Sequence, residues 1–399
     1  MRKTHLIWCV ILLSTTACGV SSEPRPETIA RPQAFTVRSS MTSSSAFDSG
    51  FHASSRNGVL SSVDPRRGAV PTGSVENTQS QTSPHRLSKG FKNTNPNFSL
   101  PKFWDRIAFI ASRLWATTFH PRSVKLPMAE VNADVLRTNR SLATVTWVGH
   151  STLLIQLDGV NILTDPQWSS RASPVTFAGP KRVTPPGLSF EQLPAIDLVL
   201  ISHDHYDHLD VATVKRLAET HRPLFLVPLG LKAWFADQGI LDVEELDWWE
   251  TRVFNGLVVT CLPAQHFSGR TLWDRNQRLW SAWAVTGREK RLFFAGDTGY
   301  YGVFKDIGNR LGPFDLAAIP IGAYLPASIM RMTHTTPEEA LQMFADVQGD
   351  RFLAIHWGTF DLTEEPLDEP PQRLAAEVQR LHLDANRIWV FKHGETRPW

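Results

Sequence analysis

The chain has 399 residues, with 41 Lys plus Arg against 39 Asp plus Glu and a formal net charge of +2 at neutral pH. Positive and negative residues are interspersed, which excludes the basic stripe that nucleic-acid binding requires. Of the three cysteines, only Cys261 lies beyond the first twenty residues, so a disulfide framework is excluded and stability must come from a packed core.

In chain order, Met1-Arg2-Lys3 is a short basic region before the apolar run Leu6–Leu13, and Ser14–Ala17 are small residues ahead of Cys18. Residues 1–17 read as a secretory signal, too short for a transmembrane span. Small residues followed by cysteine resemble a bacterial lipoprotein cleavage site, with Thr15 where that family usually carries an aliphatic residue. The resemblance implies a lipidated Cys18, and Gly19 after it implies a lipid-anchored envelope protein on the periplasmic side of the outer membrane. Ordinary cleavage after Ala17 is the alternative. Residues 18–95 are rich in Ser, Thr, Pro, Arg and Asn without apolar periodicity. Such a stretch cannot bury enough surface to offset its ordering entropy, so a disordered tether is expected, with an r.m.s. span on the order of 50 Å.

Residues 96–140 form a helical extension. Apolar residues at 103, 104, 107, 110, 111, 114 and 115 make a helical stripe behind Pro101. The stripe either covers the sheet of the main domain, the more ordinary outcome, or lies on lipid. The main domain, 141–399, opens with strands at 143–148, 153–157 and 160–164, the last two joined by the hairpin signal Asp158-Gly159. Asp165 closes the third strand and could stand as a carboxylate behind a metal loop. Gly149-His150-Ser151 lacks the final glycine of a hydrolase nucleophile turn, so a serine hydrolase is set aside.

An apolar run at 196–200 leads into His203-Asp204-His205-Tyr206-Asp207-His208, and an amphipathic helix follows from Leu209. Three histidines and an aspartate thus share a strand-to-helix loop. His203 and His205 alternate and point to one side, whereas Asp207 and His208 begin the next turn. This suits two adjacent ions, with nitrogen and carboxylate donors appropriate to zinc, manganese or iron. A surface His/Asp loop without metal is the alternative. Further donors stand at the ends of apolar strands: His266, Asp297 and His356. His203, His205 and His266 could hold one ion and Asp207, His208 and His356 the other, with Asp297 bridging. Trp248, Trp249, Trp273, Trp280 and Trp283 could form an apolar slot for acyl chains, although aromatics of this number more often fill a core.

The order His-x-His-x-Asp-His, His, Asp, His resembles the metallo-β-lactamase superfamily, which implies an α/β fold, the αβ/βα sandwich, with a binuclear centre between its halves. Trp147–Ser151, Phe294–Tyr300, Gly312–Tyr324 and Ile355–Phe360 resemble, more narrowly, the family of N-acyl-phosphatidylethanolamine-hydrolysing phospholipases D, over residues 141–396. That resemblance implies a zinc enzyme in which hydroxide shared by two ions attacks the phosphodiester, giving phosphatidic acid and an N-acylethanolamine. It also implies a homodimer. Asp207, Asp297 and His334 are the catalytic candidates, with His334 beside the ions but not ligating them. Phe267–Arg270 and Leu325–Ile329 depart from the family pattern and leave head-group and acyl specificity open. The same fold could instead hydrolyse lactones or small esters, or bind envelope lipid without turnover.

Overall fold

In a computed structural model, residues 83–271 and 273–399 are described. The expected signal, Cys18 and most of the expected tether lie outside these residues.

Two seven-stranded mixed sheets build the domain. The first contains β1 (Thr144–Gly149), β2 (Thr152–Leu157), β3 (Val160–Thr164), β4 (Leu198–Leu200), β5 (Leu224–Pro228) and β6 (Val243–Leu246). The second contains β7 (Thr251–Phe254), β8 (Leu257–Leu262), β9 (Ala282–Thr286), β10 (Arg291–Phe294), β11 (Phe314–Pro320), β12 (Gly349–Ile355) and β13 (Ile388–Trp389). The chain then returns as β14 (Thr396–Pro398) to pair antiparallel with β1. Among the described residues eight α-helices accompany the strands: α1 (Phe103–Phe119), α2 (Ala133–Thr138), α3 (Val211–Thr220), α4 (Leu231–Asp237), α5 (Val303–Leu311), α6 (Ala327–Met330), α7 (Pro337–Asp346) and α8 (Glu369–Arg380).

Local chemistry explains several of these choices. The β2–β3 hairpin turns through Asp158 and Gly159, both at positive φ (51° and 82°), the pair of conformations a two-residue turn of matching twist requires. The strands β1 to β3 are buried along their whole length, because each sheet has a covered outer face as well as an inner one. One apolar cluster fills the space between the sheets, from Trp147 and Leu200 on one side to Trp283, Phe294 and Ile319 on the other. A second, including Leu154, Val199, Val214, Leu217 and Phe235, packs α3 and α4 onto the outside of the first sheet. Helix α7 is set by a capping box between Thr336 and Glu339, with Pro337 in its first turn.

Two expectations change. The segment 83–95 is not free tether. His85 Nε2 lies 2.6 Å from Asp247, Arg86 donates to the same carboxylate at 2.7 Å, and Phe91 N donates to Asn276 O at 2.8 Å. Isolated polar anchors, invisible to hydrophobic periodicity, hold this arm. Helix α1 does not bury its stripe under the sheet either. Trp104 is 75% exposed, Ile110 57% and Trp115 59%, and Thr117 is the helix's one buried residue. It is fastened by polar contacts, from Arg113 to Asp361 at 2.5 Å and from Gly179 N to Thr118 Oγ1 at 3.2 Å. Among the described residues no helix is long and apolar enough to cross a membrane.

Candidate metal centre

The end of β3 and the loop after β4 meet at Asp165. Its buried carboxylate accepts from Ser202 N (2.7 Å), Ser202 Oγ (2.6 Å) and His208 Nδ1 (2.7 Å). One side chain thereby fixes the course of the loop and the ring orientation of its last histidine, leaving His208 Nε2 facing inward. Across the sandwich, Gly296 (φ 59°) carries the chain from β10 to Asp297. A Cβ there would stand 2.6 Å from Ser202 Cβ, so glycine permits the close approach of the two halves.

Of the five tryptophans, Trp248, Trp280 and Trp283 lie in the core. Trp283 Nε1 donates to Ile201 O at 3.0 Å and Trp280 Nε1 to Ala264 O at 2.9 Å. Both indoles are fully buried and tie down the backbone just before His203 and His266, while Trp273 is on the surface at 85% exposure. Among the described residues none of the five lines the cavity at the centre.

All seven sequence-predicted ligands converge. His205 Nδ1 lies 2.8 Å from His203 Nε2 and 3.2 Å from His266 Nε2. Asp297 Oδ2 lies 3.1 Å from both His208 Nε2 and His356 Nε2, 3.8 Å from His266 Nε2 and 4.0 Å from His203 Nε2. Asp207 Oδ2 stands 3.4 Å from His208 Nε2 and 3.6 Å from His356 Nε2. Two donor groups result, His203–His205–His266 and His150–Asp207–His208–His356, and Asp297 is grouped with His203 and His208 between them.

The residues fit metal on physical grounds. Donors at about 2.1 Å from a tetrahedral ion sit roughly 3.4 Å from each other, close to the spacings observed here. His208 Nε2, His356 Nε2 and Asp297 Oδ1 are buried with no hydrogen-bond partner, a state that is costly unless a cation completes it. Burial, above all, holds His203 and His266 well below the ordinary imidazole range, so both are neutral donors. His266 Nδ1 is engaged by Thr333 O at 2.8 Å, which leaves its Nε2 lone pair free. For His356, burial acts downward but is outweighed by Asp297 and Asp207, and the group is pushed up to about 9. The carboxylates there demand positive charge.

His334 lies beside this centre, its Nδ1 3.8 Å from Asp297 Oδ2 and without a partner. The geometry also groups it with His266 and Asp297 as a possible donor set. Burial lowers it to about 4, so it is a neutral imidazole at pH 7.

Two residues escaped the sequence. His150, in the β1–β2 turn at φ 54°, is buried with Nε2 3.0 Å from Asp207 Oδ2, and its carbonyl accepts from His356 N at 3.0 Å. The Trp-Val-Gly-His turn was its only signal. Asn93, within the stretch read as tether, donates through Nδ2 to His266 O (2.8 Å) and accepts from His266 N (3.1 Å). Nothing in its local sequence marks it.

A cavity of about 220 Å³ opens onto the centre. His205, Asp207, Asp297 and His334 form its polar end, and Phe109, Ile110, Phe267 and Met330 are among its apolar walls.

Comparison with known proteins agrees with this architecture. The beta-lactamase superfamily domain matches residues 160–357. The N-acyl-phosphatidylethanolamine-hydrolyzing phospholipase D 1 of Caenorhabditis elegans is 48% identical over 285 residues, covering 66% of this chain and 80% of that protein. The mitochondrial protein of the same name from Saccharomyces cerevisiae is 37% identical over 57% of this chain and 50% of its own length. A possible metal-dependent hydrolase from Veillonella parvula shares the fold at a TM-score of 0.53 with 15% identity, covering 65% of this chain and all of that one. The chain is therefore a metal-dependent hydrolase of the metallo-β-lactamase superfamily, within the family that holds the N-acyl-phosphatidylethanolamine-hydrolysing phospholipases D.

Proposed function

We propose that the protein is a phosphodiesterase of phospholipase D type that converts N-acyl-phosphatidylethanolamine-like lipids and water to phosphatidic acid and an N-acylethanolamine. The observation that carries this reading is the cavity, whose polar end is the donor cluster and whose apolar wall is the inner side of α1, a helix that exposes Trp104, Trp115 and Phe119 on its other faces. A space of about 220 Å³ accepts a phosphate and head group but not two acyl chains. The chains would stay in the bilayer beside α1, in the manner of an interfacial helix.

Two divalent ions, zinc by preference and manganese or iron by donor chemistry, would polarise the phosphoryl oxygens and acidify water when bound. The chain supplies the rest. Asp297 and the two histidine groups fix the positions of positive charge, and Asp165 and His150 orient His208 and Asp207 from behind. Oxygen from water would bond to phosphorus as the bond from phosphorus to the ethanolamine oxygen breaks, and the proton that water releases balances the leaving oxygen. His334, neutral and at the cavity's polar end, is placed to hydrogen-bond that oxygen through an N–H group. Lipidation of Cys18 would keep the domain beside its substrate in the cell envelope, on the periplasmic side of the outer membrane, and the family suggests a homodimer.

The test is mass spectrometry of products from the metal-loaded protein with N-acyl-phosphatidylethanolamine vesicles, beside a His203→Ala control. Phosphatidic acid plus N-acylethanolamine, absent in the control, supports the reading. Intact lipid with two bound metals overturns it and redirects the search to lactones and small esters.

A further inference from the structure

Two arginines stand in the cavity wall. Arg106, on α1, and Arg275, in the loop between β8 and β9, both line the cavity together with His205, Asp297 and His334. Neither makes an ion pair or a side-chain hydrogen bond among the described residues. Arg275 rests its guanidinium 4.3 Å from the centre of the Phe267 ring, and His205 packs on the same phenyl at a ring distance of 4.5 Å. Burial, followed by the neighbouring charge of Arg106, draws Arg275 down to about 10, still cationic at neutral pH.

The neighbouring arginines are committed elsewhere. Arg113 and Arg122 both bind Asp361, Arg270 donates to the carbonyls of Asp204 and Leu209, and Arg278 pairs with Asp204 and Asp274. The cavity's carboxylates, Asp207 and Asp297, are turned to the histidine cluster, so Arg106 and Arg275 are two half-buried like charges with no carboxylate in ion-pair range, which is unfavourable unless an anion enters between them. Guanidinium is also the side chain best shaped for a phosphate.

Resting on the phospholipid reading above, the geometry points to Arg106 and Arg275 as a specificity-determining pair that draws the substrate's phosphate into the cavity and rejects head groups carrying a cation. The chemistry of the lipid makes this selective. Phosphatidylethanolamine and phosphatidylcholine are zwitterions whose amine or choline would have to sit against two guanidiniums and a metal centre. Acylation of the amine removes that charge and leaves a net anion, so the pair distinguishes acylated from free head groups without contacting the acyl group. Selectivity then comes from repulsion of the wrong head group as much as from attraction of the right one.

The experiment compares the metal-loaded protein with Arg106→Gln, Arg275→Gln and the double variant. Substrates are phosphatidylmethanol, an anion with no head-group cation, and phosphatidylcholine, both at low mole fraction in non-ionic detergent micelles. Arg331→Gln is the control for nearby surface charge, since Arg331 is 72% exposed beside α6. The parent and the control should prefer phosphatidylmethanol in kcat/KM by about tenfold or more. In the double variant the ratio should fall toward one, mainly through the anionic lipid. An unchanged ratio in the double variant overturns the proposal. Should no lipid be cleaved by any form, the phospholipase reading fails by itself. The arginines are then decided by binding of dodecyl phosphate against dodecylphosphocholine: loss of the preference in the double variant supports the pair, and an unchanged preference overturns it.

Discussion

Replacing Asp165 with Asn isolates what a buried carboxylate does for a histidine ligand. Asn is the same size, and the structure dictates how it must sit. Ser202 N points at Oδ1, so the amide oxygen takes that position and the NH₂ group takes the place of Oδ2, facing Ser202 Oγ and His208 Nδ1. Ser202 Oγ can accept instead of donate, so that contact survives. His208 cannot remain Nδ1-protonated against an NH₂ donor. In the parent, burial acts downward but Asp297, Asp207 and Asp165 hold His208 well above the imidazole range; with Asn behind it the ring gives up the Nδ1 proton and keeps one on Nε2, the atom that faces Asp297 at 3.1 Å and Asp207 at 3.4 Å. A metal then has to displace that proton and lose a charge-assisted hydrogen bond worth about 1.5–3 kcal/mol. Metal affinity should fall by roughly 10- to 100-fold, as is usual when the carboxylate behind a ligating histidine is lost. Competition with a chromophoric chelator measures this, with urea unfolding of the metal-free protein run beside it to separate ligand chemistry from loss of fold. Affinity within about twofold of the parent, in a protein of unchanged metal-free stability, would refute the tautomer argument.

Other outcomes follow from the same geometry. His334→Ala should lower turnover by about 100-fold with both metals retained; loss of one metal by elemental analysis would make His334 a ligand instead. At Asp247, burial acts upward but the hydrogen bonds from His85 and Arg86 prevail and hold the carboxyl at about 2, below its ordinary value near 3.8. Its contribution is present above about pH 4 and is lost as pH falls toward 2. Protease sites within residues 86–92 should therefore be protected at neutral pH and open in Asp247→Asn, read by limited digestion. His393 is pushed down to about 3 by burial and then by Arg182, with its ring 4.2 Å from Trp147. Because its folded value lies below the ordinary 6.5, stability is full above about pH 6.5 and declines as pH drops toward 3, by up to roughly 4 kcal/mol. His393→Gln should flatten the pH dependence of the urea midpoint over that window by one proton. Finally, Trp104→Ser with Trp115→Ser should weaken vesicle association while leaving metal content unchanged, as co-sedimentation would show.

Much of the centre was legible because its donors are local or stand at marked places. His203, His205, Asp207 and His208 share one loop, and His266, Asp297 and His356 each follow an apolar run. Asp165 could be named because a carboxylate after a buried strand has few other uses. His150 is not marked as a site residue by its sequence, since Gly-His-Ser fails as a nucleophile turn and the Trp147–Ser151 motif carries a resemblance without a role. A turn's partner across the sandwich is not encoded in its neighbours. Asn93 gave no warning, since a single amide in a polar stretch carries no period. Helix α1 shows a different limit. Periodicity gives a stripe and its angle but not what covers it, and here Trp104 and Trp115 face outward.

The arm at residues 83–95 has a mechanical consequence. Any pull on the preceding chain enters the domain at Ser83 and reaches Asp247 first, through Ser83 Oγ, His85 and Arg86. Only beyond that knot, and beyond the bridge between Arg86 and Phe91, does the chain arrive at Asn93 and the backbone of His266. The carboxylate of Asp247 is thus a strain relief, taking load at residues 83–86 before it can reach the backbone of His266.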